Sequence, residues 1–261
     1  MNVDRHLAAA IGLVVVAVGL VVGVGVAFAY DVSSSPRRTP PAAATQPGGP
    51  AGPAVTGAAP AQPQQQAPQE QERPDPYRPD DAWVARVAGA TGIPTRALEA
   101  YARAHLRVAD EQPGCRVAWN SLAALGGIES GHGSVNDAVL GDDGVPRPPI
   151  LGPRLDGKAF AAIRDTDGGA LDGDTEWDRA VGPLQFIPST WARWAADGKG
   201  DGIADPHQID DAALAAGRYL CAAGDLSTPD AWRRAIFSFN HSDAYVADIA
   251  ALANRYAAAA G

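Results

Sequence analysis

The stretch "CRVAWNSLAALGGIESGHG", Cys115 to Gly133, decides how the chain is read. Trp119, Leu122 and Leu125 or Gly126 recur at helical spacing, and Gly131 and Gly133 close the run just after Ile128 and Glu129. The pattern predicts a helix over 115–130 with one carboxylate, Glu129, in its last turn. A helix C-terminus carries partial negative charge and disfavours an ionised acid, as does neighbouring apolar surface. Both keep a carboxyl protonated at neutral pH, which is what a general acid for glycosidic cleavage needs. The same glutamate also reads as an ordinary solvated helix end, and the run alone does not separate the two.

Outward from this run the pattern stays helical. Helices are expected at 81–90, 94–110, 158–163, 188–196, 210–222, 229–238 and 242–259, with no convincing alternating strands. Pro94 and Pro188 suit a first helical turn, and Ser242 can cap the last helix through its side-chain oxygen. The expected fold class is mainly α over 81–261. Residues 134–180 are rich in Gly, Asp and Pro and too long for an idle connection, so they are expected to wrap over a site, with room for a short hairpin.

The first 80 residues differ in kind. Residues 7–29 are uncharged over about 23 positions, roughly 34 Å as a helix, which is long enough to cross a hydrocarbon core. A retained membrane anchor is the preferred reading, and cleavage of a signal peptide at Ala27-Phe28-Ala29 the alternative. Arg5 before the run and Arg37 and Arg38 after it leave the orientation undecided. Residues 31–80 are Pro, Ala, Gln and Gly with little that could build a core. They read as a tether of roughly 40 Å as a flexible coil, or up to about 150 Å if extended. The catalytic domain is therefore expected outside the cytoplasm. There, Cys115 and Cys221 would form a disulfide; two separate buried thiols are the alternative.

The chain has 261 residues and a formal charge of −9. Phosphate binding needs clustered Lys and Arg, which are not found, so a nucleic-acid partner is excluded. An anionic glycan would have to be held by local hydrogen bonds and stacking. Two stretches offer them. In "AVGPLQFIPSTW", Ala180 to Trp191, a Gly-Pro turn precedes Gln185, an amide between Leu184 and Phe186 that needs a partner. In "IFSFNHSDAYV", Ile236 to Val246, Asn240 lies between helices, with Phe239 before it and Tyr245 after it. Gln185 also reads as a structural hydrogen bond in a core.

Taken in order, "IESGHG", "AVGPLQFIPSTW", "DGIADPHQIDDAALAAGRYLC" and "FNHSDAYV" resemble the lytic murein transglycosylases of the membrane-bound B type, over roughly residues 81–261. The resemblance implies a lysozyme-like fold and cleavage of the β-1,4 bond between N-acetylmuramic acid and N-acetylglucosamine in peptidoglycan; no cofactor or metal is expected. Glu129 would match the single acid/base of that family, leaving 1,6-anhydro-muramyl ends. Gln185, Phe186, Asn240 and Tyr245 would lie along the glycan cleft, with Ser130 supporting Glu129. A monomer is expected.

The chain departs from the family pattern where a serine about nine residues before Gln185 is replaced by Glu176. This reopens ordinary hydrolysis, with Glu176, Asp174 or Asp178 as a second carboxylate, although loop caps and turn residues are the preferred reading. A non-catalytic peptidoglycan-binding module is the remaining alternative. The loop from Asp197 has Asp at the first, fifth and ninth positions of an EF-hand and Gly202 at the sixth, but Lys199 at the third and Gln208 at the twelfth. A turn organised by Asp side chains is preferred there to calcium. His132, His207 and His241 lack the close spacing of a zinc site.

Overall fold

A computed structural model describes residues 75–261, so the candidate anchor at 7–29 and almost all of the tether lie outside the described residues. Among the described residues, seven α-helices build the fold: α1 Asp81–Thr91, α2 Thr95–Glu111, α3 Trp119–Ser130, α4 Pro188–Trp194, α5 Ile209–Cys221, α6 Pro229–Phe239 and α7 Asp243–Ala260. The mainly α expectation holds. Their starts follow from local chemistry, because a side-chain oxygen that accepts an early backbone N–H offsets one of the unpaired donors of a first turn. Asp80 accepts from Trp83 N, Gln208 from Asp211 N, Thr228 from Ala231 N and Ser242 from Tyr245 N. Proline opens α4 and α6.

Helices α2, α3, α5 and α7 enclose the core, with α3 packed on both α2 and α7 and α2 on α5. Leu98, Tyr101, Leu122, Leu125, Leu214 and Ile249 are buried there. The interior glycines of α3 permit the close packing: a Cβ on Gly126 would lie 1.9 Å from Tyr101 Oη, and one on Gly127 would lie 2.9 Å from Leu252 Cδ2. Cys115 and Cys221 are joined as a disulfide, which links the segment before α3 to the end of α5. Leu226 N also donates to Cys115 O at 2.7 Å.

Between α3 and α4 the chain forms two short antiparallel pairs, β1 Val139–Leu140 with β2 Pro146–Arg147 and β3 Leu151–Arg154 with β4 Arg179–Val181. This is more sheet than the single short hairpin expected. The helix expected at 158–163 is absent. Those residues bend, and isolated bridges pair Ala162 with Asp156 and Arg164 with Trp177. Six residues are too few to sustain an isolated helix, so pairing across the loop prevails. Helix α3 also begins four residues later than expected, at Trp119, with Cys115 in the irregular segment before it. Among the described residues no helix is long and apolar enough to cross a membrane.

Candidate active site

Helix α3 ends in a Schellman motif: Gly131, at φ 58°, donates its N–H to Gly127 O, and His132 donates to Gly126 O. This termination leaves Glu129 in the last turn, as the sequence pattern requires. The side chain is half-buried, and Tyr245 Oη, from the first turn of α7, donates to Glu129 Oε1 at 2.5 Å. Burial pushes the Glu129 carboxyl up to about 7, and the Tyr245 hydrogen bond opposes that rise only in part. Of the two effects expected to keep this acid protonated, burial is the one that raises it here. Tyr245 is itself raised well above the ordinary tyrosine value, first by burial and then by the neighbouring Glu129, so it remains a donor.

The Gly-Pro turn reaches the same end of α3. Val181 and Phe186 exchange backbone hydrogen bonds around Gly182-Pro183-Leu184-Gln185. Gly182 sits at φ 74°, where a Cβ would meet Pro206 O at 1.9 Å, so only glycine fits. Ser130 Oγ donates to Pro183 O at 2.6 Å and accepts from Gly133 N at 2.8 Å. That hydroxyl is buried and committed to backbone. It ties the turn to the residue beside Glu129 and is not placed as a substrate contact. Gln185, with φ 50°, donates through Nε2 to Gly182 O at 2.8 Å, which leaves its Oε1 beside Gly152.

Phe186 departs from the cleft position expected of it. It is buried, edge-on to Trp191 and Phe239, because an aromatic ring flanking a turned amide packs more favourably into the core than into a wet groove. Asn240 stands at the C-cap of α6, only 3% exposed, and its Oδ1 is buried without a hydrogen-bond partner. A buried unpaired amide oxygen is costly unless a ligand completes it.

Three groups escape a reading of the sequence. Tyr101 Oη, His132 and Tyr256 Oη form a hydrogen-bonded chain behind α3, at 3.2 Å to Nδ1 and 2.9 Å to Nε2. One ring nitrogen accepting and the other donating suits a neutral imidazole, and burial lowers His132 to about 4. The signal was the Gly126-Gly127 pair, whose missing side chains admit both rings.

The acidic residues of the long loop are engaged in holding it. Arg154 and Arg164 pair with Glu176, and Arg164 stacks on Trp177. Asp174 is held by Arg154 and Arg179, and the Arg154 hydrogen bond keeps its carboxyl well below the usual range. Asp178 is buried and accepts from Thr166 N and Oγ1. Carboxylate oxygens of Asp165, Asp167 and Asp178 also lie within 4.8 Å of one another, each engaged by loop donors. In the loop from Asp197, Asp197 accepts from Gly200 and Gly202 N, and Lys199 pairs with Asp201. Asp211 accepts from Gly198 and Asp205 N. These carboxylates organise turns. Histidines 132, 207 and 241 have separate partners: His207 Nε2 meets Leu171 O, and His241 packs against Phe237.

Residues 158–232 match a family model described as a transglycosylase SLT domain. No curated protein and no solved structure matches the chain. The matched segment holds the Gly-Pro turn and Gln185 but not Glu129, Asn240 or Tyr245. It supports a glycan-cleaving lytic transglycosylase acting on peptidoglycan, and the mainly helical fold is consistent with the lysozyme-like architecture of such domains.

Proposed function

We propose that the chain is a lytic transglycosylase of the membrane-bound B type, held outside the cytoplasmic membrane by residues 7–29, with Glu129 as its one acid/base. The observation that carries this reading is the half-buried Glu129 carboxyl, raised to about 7 and bonded to Tyr245. Tyr245 occupies Oε1, so the transferable proton is left to Oε2. That proton goes to the glycosidic oxygen as its bond to C1 of the muramyl residue breaks. The acetamido oxygen of the same sugar stabilises the positive charge at C1. The Glu129 carboxylate then takes the proton of the C6 hydroxyl, whose oxygen bonds to C1 and closes the 1,6-anhydro ring. No water is consumed, and Glu129 ends protonated.

A single carboxylate suffices for this sequence, as in other substrate-assisted glycosidases. In support, Tyr245 is the hydrogen-bond partner of Glu129 among the described residues, while Glu176 and Asp174 are held by arginines. The unpaired Oδ1 of Asn240 and the free Oε1 of Gln185 are the groups best suited to sugar hydroxyl or acetamide N–H donors.

Mass analysis of fragments released from purified peptidoglycan tests the reading. Anhydro-muramyl ends are expected, and Glu129→Gln should lower their release by about 10²–10⁴-fold, as loss of a general acid does. Reducing muramyl ends without anhydro product would make the enzyme a hydrolytic muramidase. Unchanged turnover in Glu129→Gln would remove the acid and favour a binding module.

A further inference from the structure

A groove of about 620 Å³ opens between the N-terminal end of α3, helix α6 and the outer face of α7, and neither Glu129, Gln185, Asn240 nor Tyr245 lines it. Its floor is aliphatic and small, with Val246, Ala247, Ala250 and Ala253 on successive turns of α7, and Trp232 stands over it from α6. Trp232 Nε1 donates to Ser121 Oγ at 2.9 Å, which fixes the ring. At the mouth, Arg233 donates to Asp243 at 2.5 Å, and both side chains are exposed. The groove thus offers one cation and one anion side by side next to the aliphatic face of α7, with the polar side chains of Asn120, Ser121, Ser227 and Asn254 also in its lining.

We propose that this groove binds a short peptide that sets a small aliphatic residue beside a free carboxylate and a free ammonium, as the stem peptides of peptidoglycan do. Charge complementarity argues for it: an exposed ion pair contributes little to stability, so Arg233 and Asp243 exchange each other for a ligand carboxylate and ammonium at small cost. Position argues the same way. The short α6–α7 corner holds Asn240 together with Tyr245, which bonds Glu129, and with Asp243 and Val246, which line the groove. A peptide borne by a sugar at Asn240 would meet this face, and that step rests on the function proposed above. The protein would then favour glycan strands that bear stems over bare strands.

The test uses the full chain carrying Glu129→Gln, so that nothing is turned over. It is titrated with the tripeptide L-alanyl-γ-D-glutamyl-meso-diaminopimelate and, separately, with the N-acetylglucosamine tetramer, following the Trp232 indole N–H by NMR. The tripeptide is expected to shift Trp232. Adding Arg233→Ala, or Ala247→Trp to fill the exposed edge of the groove, should weaken its binding fivefold or more and leave tetramer binding unchanged. With Glu129 restored, Ala247→Trp should raise KM on stem-bearing strands several-fold with kcat kept, and change nothing on peptide-free strands. Failure of the tripeptide to shift Trp232, equal affinity in the variants, or a shift caused by the tetramer instead would overturn the proposal. Retained turnover in Glu129→Gln would defeat the proposed catalysis, and the tripeptide titration would still stand or fall by itself.

Discussion

Glu129 has a raised carboxyl, and the sign of that shift gives two tests. The ordinary value is 4.5 and the folded value about 7, so between them the folded state holds a proton that the unfolded state has lost. Stability on this account is full below pH 4.5 and declines as pH rises through 7, by about 3 kcal/mol at most. Glu129→Gln keeps an oxygen for Tyr245 and removes the ionisation. It should therefore melt higher than the parent chain at pH 8 and alike at pH 4.5, and identical pH dependence in the two would show that the carboxyl is not buried as described. Tyr245→Phe addresses the opposing effect. Without the hydroxyl, the carboxylate loses its one hydrogen bond and the acid rises further, so the alkaline limb of the pH–rate profile should move to higher pH. The rate should fall about tenfold or more for loss of a hydrogen bond to a charged group. A lower rate with an unmoved limb would reduce Tyr245 to a packing residue.

At the scale of elements, sequence showed most clearly what is decided by near neighbours. Asp81–Thr91, Pro229–Phe239 and Asp243–Ala260 were legible because caps and apolar spacing act within a turn or two. "KAFAAI" at 158–163 copied that spacing over too short a run, and pairing with a distant segment, where Asp178 N donates to Ile163 O and the next residue, Arg164, bridges to Trp177, decided its conformation. The site divides in the same way. Glu129 was legible from its own helix end, but its partner lies 116 residues on, and the Tyr101–His132–Tyr256 chain spans still more. Phe186 was misplaced because its flanking Gln185 invites a cleft reading, while the pull of Trp191 and Phe239 on its ring is tertiary. Helix α3 gives the sharpest test. Glycine to alanine inside a helix normally stabilises by about 0.5–1 kcal/mol. Gly126→Ala should instead destabilise by about 1–3 kcal/mol, because the new methyl meets Tyr101 Oη, a buried group with no room to retreat. Urea unfolding would read it, and a gain in stability would mean that α3 and α2 are not packed as described.

For the whole described domain, the disulfide and the site fasten opposite ends of the same helix. Cys115 precedes α3 and binds Cys221 at the end of α5, across a sequence separation of 106. Glu129 is in the last turn, held by Tyr245 from α7 and, through Ser130, by the Gly-Pro turn. Closing a loop of that length restricts the unfolded chain by about 4–5 kcal/mol in the entropy model, and native disulfides commonly yield about 2–5 kcal/mol. The loss should therefore appear in stability more than in chemistry. The double variant Cys115→Ser, Cys221→Ser is expected to unfold about 5–15 °C lower, at roughly 2–4 °C per kcal/mol for a domain of this size. Its kcat on peptidoglycan well below the melting point should stay within about twofold, because both ties to Glu129 lie at the other end of α3. Thermal unfolding with and without reductant reads the first effect, and product release at low temperature the second. A melting point indifferent to reduction would mean that the bridge is absent. A collapse of kcat in a variant that is still folded would mean that the disulfide, and not Ser130 and Tyr245, sets the position of Glu129.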